Sequence, residues 1–172
     1  MQKLEHEPCP FCKKKTLSLT EDEVDIPYFG KCFLFSMQCS SCKYFKSDVE
    51  AAERKEPIRY TLEVNSTKDM NIRIVKSSEA TIKIPQLKVE VTPGPASEGY
   101  ITNVEGVLQR FKKQIGQERD NADDDEVREK AKSLLKKFWK VECGDVAVKI
   151  VIEDPSGNSA IVSEKAKIEQ LK

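Results

Sequence analysis

No apolar run in the 172 residues approaches the roughly 18–20 needed to cross a bilayer, so no membrane anchor is expected. Neither sign of charge dominates: Lys+Arg 29 balances Asp+Glu 29, and residues 1–56 hold 9 basic against 10 acidic side chains. A dedicated nucleic-acid binder usually carries a basic excess, which is missing from both parts of the chain. There is one histidine and no glycine-rich phosphate loop of the G-x-x-x-x-G-K-[S/T] kind. These absences leave no Ser/His/Asp set to assemble and no common nucleotide cradle. The first seven residues, Met1 to Glu7, contain no apolar stretch and carry acids. A secretory signal is therefore not expected, and the expectation is a soluble cytoplasmic protein whose thiols stay reduced. With 38% apolar and 34% charged residues, a modest core should sit under a highly charged surface.

Against that background, six cysteines read as metal ligands or free thiols before disulfides. Cys9-Pro10-Phe11-Cys12 and Cys39-Ser40-Ser41-Cys42 are two C-x-x-C pairs with 26 residues between them. Zinc takes four soft donors at tetrahedral corners, about 2.3 Å from each sulfur, and a C-x-x-C turn aims two thiolates at one ion. The intervening segment must fold back to bring its ends together. Thr16 to Thr20 and Phe33 to Met37 are strand-like, with turn residues from Pro27 to Gly30 between them. The resulting hairpin is the logic of a zinc ribbon over residues 1–50, with Cys9, Cys12, Cys39 and Cys42 as ligands of one structural zinc. Two disulfides conflict with the expected compartment, and a redox C-x-x-C is expected beside a βαβ pattern that the sequence lacks. His6, three residues before Cys9, could compete as a ligand, but four thiolates already complete a closed site, and it reads as exposed in a loose N-terminus. A nucleophilic thiol needs a basic partner, and the one histidine is remote in sequence from Cys32 and Cys143, which are left unassigned.

Tyr44 to Val49 leads into a charged stretch, Glu50 to Glu56, that reads as a junction closed by Pro57. Beyond it, residues 57–172 form a second unit. Short alternating segments at Ile58–Val64, Met70–Val75, Ala80–Pro85 and Leu87–Val91 favour an antiparallel sandwich or barrel. A turn-rich loop, Thr92 to Gly99, ends in Thr102-Asn103-Val104-Glu105, a candidate capping box with Thr102 as N-cap. Val104, Val107, Leu108, Phe111 and Ile115 follow helical spacing, Gly116 to Asp125 reads as an exposed connector, and Val127, Ala131, Leu134, Leu135 and Phe138 mark a second helix. The acidic start and basic end of that helix suit its macrodipole. A helical hairpin at about 103–140, packed on the sheet or on itself, is thus inserted between strands. The chain returns to β at Val146–Ile152, turns at Asp154-Pro155-Ser156-Gly157-Asn158, and continues through Ser159–Val162; Glu164 to Lys172 reads as a short helix or frayed tail.

Three blocks in this order resemble the ZPR-type zinc-finger family of archaea and eukaryotes. They are Cys9–Cys12 through Ile26-Pro27-Tyr28-Phe29 and Phe35–Cys39 to Cys42-Lys43-Tyr44; Pro93-Gly94, Gly99 and Thr102 to Leu108; and Asp154 to Ser159. The resemblance covers nearly the whole chain. It implies a mainly β fold of the α+β kind: a four-cysteine zinc ribbon, then a β-domain like a double-stranded β-helix with an inserted helical hairpin. It also implies an archaeal source, since eukaryotic members look like two tandem copies of this module. Finally, it implies binding to translation elongation factor 1-alpha and assistance in that factor's folding or regulation, an activity associated with the two-copy forms.

The leading functional expectation is therefore a zinc-binding protein-interaction module acting as a chaperone or regulator. Tyr28, Phe29, Phe33, Phe35, Tyr44 and Phe45 crowd a small module, either as its core or, in part, as anchors for a partner. The alternative is a nucleic-acid-binding ribbon, favoured by Lys13-Lys14-Lys15 and nearby aromatics that could stack bases, and opposed by Glu21-Asp22-Glu23-Val24-Asp25. No enzyme and no small-molecule substrate is expected: the Asp154 to Asn158 residues are those of a tight turn.

Overall fold

The computed structural model describes residues 2–26 and 30–171. The four strands β1 (Gln2–Pro8), β2 (Lys15–Ile26), β3 (Gly30–Cys39) and β4 (Phe45–Ala51) form one antiparallel sheet in chain order. β2 and β3 make the expected hairpin, in which Leu17 lies opposite Cys39 and Val24 opposite Cys32. The turn expected from Pro27 lies outside the described residues, apart from Gly30, whose φ of 90° suits its lack of a Cβ. Two features correct the sequence reading. The N-terminus is not loose: Leu4 pairs with Leu19 as part of an edge strand. The stretch after Tyr44 is a strand as far as Ala51, with Val49 opposite Leu34, so the charged junction starts only at Ala52.

The remainder contains two further antiparallel sheets and a helical hairpin. β5 (Ile58–Val64), β7 (Thr81–Ile84), β8 (Val89–Val91), β10 (Val148–Asp154) and β12 (Lys167–Gln170) make a five-stranded sheet in the order β12-β5-β10-β7-β8. β6 (Arg73–Lys76), β9 (Tyr100–Asn103) and β11 (Ala160–Val162) make a three-stranded one with β6 in the centre. Alternation places Tyr60, Leu62 and Val64 of β5 and Val148, Ile150 and Ile152 of β10 on one buried face, with Leu62 opposite Ile150. A strand that follows the helices, β10, fills the middle of a sheet begun before them.

α1 (Val104–Asn121) and α2 (Asp125–Glu142) form the inserted hairpin. Val104, Val107, Leu108, Phe111 and Ile115 of α1 join Ala131, Phe138 and Val141 of α2 in the main hydrophobic cluster, and the Phe111 and Phe138 rings lie 6.0 Å apart. Val127 departs from the expected face and is exposed. α1 also runs six residues further than expected. Gly116 meets nothing in its surroundings and only lowers helix propensity, so the helix continues to Asn121 and the connector shrinks to three residues. Its N-cap is Asn103 and not Thr102: the Asn103 Oδ1 accepts from the Gly106 N–H at 2.8 Å, while Thr102 is held in β9 opposite Ile74. Ordering Tyr100–Asn103 into a strand therefore moves the cap one residue on.

Two more expectations change. Met70 belongs to a 3₁₀ turn at Thr67–Asn71, where the Asp69 carboxylate accepts from the Asn65 and Ser66 N–H groups, so β6 begins only at Arg73. The C-terminal segment is neither helix nor frayed tail, because Ile168 pairs with Tyr60 and extends the larger sheet. No described helix is long and apolar enough to cross a membrane.

The two units meet closely. Cys32 and Val49 of the first sheet belong to the same hydrophobic cluster as the second unit. The Asp48 Oδ1 accepts from the Gly99 N–H at 2.7 Å, Lys46 pairs with Glu98 at 3.0 Å, and the Ser156 carbonyl accepts from the Lys55 N–H at 2.8 Å.

Candidate metal centre

Each C-x-x-C pair sits on a tight turn with the same construction. In the first, the Cys9 carbonyl accepts from the Lys13 N–H and the Cys9 N–H donates to the Lys14 carbonyl, both at 2.9 Å. In the second, the Cys39 carbonyl accepts from Lys43 at 3.1 Å and the Cys39 N–H donates to Tyr44 at 2.8 Å. Lys13 and Lys43, one residue past each second cysteine, take left-handed φ values of 60° and 63°. Pairing of β2 with β3 carries one turn to the other, and the Ser40 N–H donates to the Thr16 carbonyl at 3.0 Å.

The four sulfurs consequently converge. All lie within 4.8 Å of one another, with Cys9 to Cys42 at 3.6 Å and Cys12 to Cys39 at 3.7 Å. A tetrahedron with zinc–sulfur bonds of about 2.3 Å has an edge of about 3.8 Å, so the spacing fits one zinc ion. The surroundings favour thiolates at two corners. Burial pushes Cys9 up, but the N–H groups of Cys12 and Phe11 aimed at its sulfur more than offset this. The Cys42 N–H and the Thr16 hydroxyl, 3.2 Å from the sulfur, bring Cys39 down to about 6. At Cys42 the Tyr44 N–H favours the thiolate, yet burial and the three neighbouring sulfurs push it up to about 11. Four crowded thiols cannot all ionise without a cation among them, and a divalent ion removes that conflict. Cys9, Cys12, Cys39 and Cys42 could thus hold one zinc ion, with no protein-free position for activating water.

His6 is exposed on β1 and is not part of this group. Cys32 is buried in the main cluster, its thiol 3.6 Å from the Val24 carbonyl and pushed up in pKa by burial, as for a small apolar core residue. Cys143 is exposed at the C-cap of α2. The Thr16 hydroxyl at Cys39 was not anticipated; only the hairpin register, which pairs Leu17 with Cys39, could have pointed to it. The Asp154 segment is a turn: its carboxylate accepts from the Ser156 and Asn158 N–H groups and from the Ser156 and Ser159 hydroxyls.

Residues 3–57 match the ZPR1 zinc-finger domain, and residues 68–172 match the ZPR1 jelly-roll domain. The chain belongs to the ZPR1 family. A ZPR1-like protein of Methanocaldococcus jannaschii is 38% identical over 172 residues, covering 99% of this chain and 87% of the relative. One from Pyrococcus horikoshii is also 38% identical, over 95% of this chain and 75% of its own length. The human zinc finger protein ZPR1 is 30% identical over 82% of this chain but only 31% of itself, so the chain corresponds to about a third of the eukaryotic protein. The Schizosaccharomyces pombe relative, 29% identical, carries the name zinc finger chaperone. ZPR1 relatives are thus named as zinc-finger proteins and a chaperone and not as enzymes.

The geometry around the cysteines also sorts the aromatic residues. The small cluster beneath the ligand turns consists of Cys9, Leu17 and Cys39, with Cys12, Leu19, Met37 and Tyr44 packed on it. Phe33 and Phe35 are half-buried neighbours at 6.4 Å, while Phe11 is 71% and Phe45 62% exposed. Tyr28 and Phe29 lie outside the described residues. Phe11 stacks against Tyr44 at 4.6 Å, so one ring from each cysteine turn meets at the surface.

Proposed function

We propose that the chain is a cytoplasmic, non-enzymatic interaction module that binds one structural zinc through Cys9, Cys12, Cys39 and Cys42 and uses the face beside it to hold a protein partner. The single observation carrying this reading is the exposed Phe11 ring, propped on Tyr44 by the two cysteine turns. A large ring held rigidly at the surface loses little conformational freedom on binding, the property of an interface anchor. When bound, zinc would supply rigidity: it ties the two turns and thereby fixes both rings. The chaperone name of the yeast relative supports a protein partner, and the family resemblance makes translation elongation factor 1-alpha the partner to test, as a folding client or as a regulated factor.

The test is binding of the zinc-loaded protein to its own organism's elongation factor 1-alpha in GDP-bound, GTP-bound and partly unfolded forms, with Cys39→Ser as control. Binding lost in the variant supports a zinc-dependent module, and preference for the partly unfolded form supports chaperoning. Binding to none of the three removes this factor as the partner. A nucleic-acid-binding ribbon is the second reading, favoured by Lys13, Lys14, Lys15 and Lys43, close in sequence to the paired Phe11 and Tyr44 rings. It requires oligonucleotide affinity that falls steeply with salt.

A further inference from the structure

Between β4, the end of β6, β9 and α1 lies a cavity of about 470 Å³, within the size range of small-molecule sites. Three cations line it, Lys76, Arg110 and Lys113, and none of them has a carboxylate contact among the described residues. The one acid in the wall, Glu98, is already paired with Lys46.

Lys76 is the unusual member. It is 3% exposed, and lysine is almost never so deeply buried without an ionic partner. Its ammonium donates one hydrogen bond, to the Ser77 carbonyl at 2.8 Å, and lies 5.7 Å from the Tyr100 ring centre. Burial lowers the Lys76 pKa; Asp154 and Asp48 oppose this only through space, and Arg110 adds to it, the aspartates' own hydrogen bonds being made to the Asp154 turn and to the Val49 and Gly99 N–H groups. Two ammonium N–H donors are therefore left without a protein acceptor. The Arg110 guanidinium lies over the same Tyr100 ring, its carbon 4.0 Å from the ring centre, which orients the fork without occupying its donors. A ring thus holds two like charges near each other, an arrangement that costs free energy until an anion joins them.

We propose that this cavity binds a small molecule through a phosphoryl group, seated by Lys76 and Arg110 with Lys113 at the rim. Phosphate rather than a single carboxylate fits because a monoester carries about −1.5 to −2 at neutral pH, which suits three cations that make no carboxylate contact, and offers three acceptor oxygens. Ile82, Val91 and Val107 leave an apolar wall for the remainder of the molecule. Since Ser47 of the ribbon also lines the cavity, an occupied site would bridge the two units.

The experiment uses the full zinc-loaded chain and follows its melting temperature and amide resonances with inorganic phosphate, adenosine monophosphate and glutarate as probes. Phosphate and the monophosphate should raise the melting temperature and shift Gly99 and Tyr100. A stronger response to the monophosphate marks an ester ligand, and an equal one marks free phosphate as the ligand. Lys76→Met, close in volume, and Arg110→Gln, at the surface, should each weaken binding by about ten- to a hundredfold, the loss of one charge-assisted contact. If Lys76→Met does not fold, Arg110→Gln carries the comparison alone. No response to either phosphate probe, an unchanged response in the Arg110 variant, or glutarate binding as tightly as phosphate would overturn the proposal.

Discussion

A Cβ placed on Gly99 would lie 2.2 Å from the carbonyl oxygen of Val49. The loop before β9 and the last strand of the ribbon touch backbone to backbone there, and the Asp48 carboxylate, accepting from the Gly99 N–H, closes the contact. Because the obstructing atom is main chain, it cannot swing away. Gly99→Ala should destabilise the protein by about 1–3 kcal/mol, the range for enforced overpacking at a tight site. Chemical denaturation monitored separately at the ribbon and at the helices would check this, with the ribbon transition moving to lower denaturant first.

Withdrawing the metal should act on the ribbon more than on the jelly roll. A strong chelator or Cys39→Ser is expected to abolish binding of one zinc per chain and to release amide protection across residues 2–51, while β5, β10 and the helices keep theirs. Zinc analysis combined with hydrogen exchange measures both. A Cys39→Ser protein that still holds one tight zinc would contradict the ligand assignment.

Acid should weaken the fold through Asp154. Burial alone would raise its pKa, but the hydroxyls of Ser159, Ser156 and Ser77 and the Ser156 N–H outweigh burial and leave it below the ordinary aspartate value. A carboxyl depressed in the folded state stabilises it fully above the unfolded value of about 3.9, and that stability disappears as pH falls through the lower folded value. Asp69 contributes with the same sign: burial raises it, and Lys165, Asn65 and Ser66 lower it further than that. Asp154→Asn should cost about 2–4 kcal/mol near neutral pH, because an amide cannot accept from all four donors, and should flatten the acid limb of the stability curve. Urea unfolding from pH 7 to pH 3 tests both statements.

Phe11→Ala should separate recognition from folding. The ring is mostly in solvent, so the melting temperature should move little, within about 0.5 kcal/mol of stability. Partner affinity should fall about tenfold or more if the ring is an anchor. Titration calorimetry against the partner gives the comparison, and unchanged affinity would move the docking face away from the cysteine turns.

The grouping of Cys9, Cys12, Cys39 and Cys42 and the order of elements were legible because both rest on local chemistry. C-x-x-C spacing, the alternation of Ile58–Val64 and the helical spacing from Val104 to Ile115 each identify a short piece of chain without reference to the rest. What escaped depends on long-range pairing. Lys167–Gln170 has no apolar alternation and becomes a strand only because β5 offers its edge. Gln2–Pro8 is recruited by β2 in the same way. Asn103 replaces Thr102 as cap because pairing with β6 carries β9 through Asn103, so the helix starts only at Val104. The cavity around Lys76 was invisible for a related reason: its cations come from β6 and α1, and its floor from a ribbon strand.

The position of β10 in the middle of the larger sheet sets a timetable for folding during synthesis. Leu62 must wait for Ile150, and Ile82 for Ile152, so the edges of β5 and β7 stay open until β10 has left the ribosome. The ribbon, whose pairings all fall within the first 51 residues, can form long before. Zinc capture should therefore precede closure of the jelly roll, and the slow step should be the late, non-local insertion of β10.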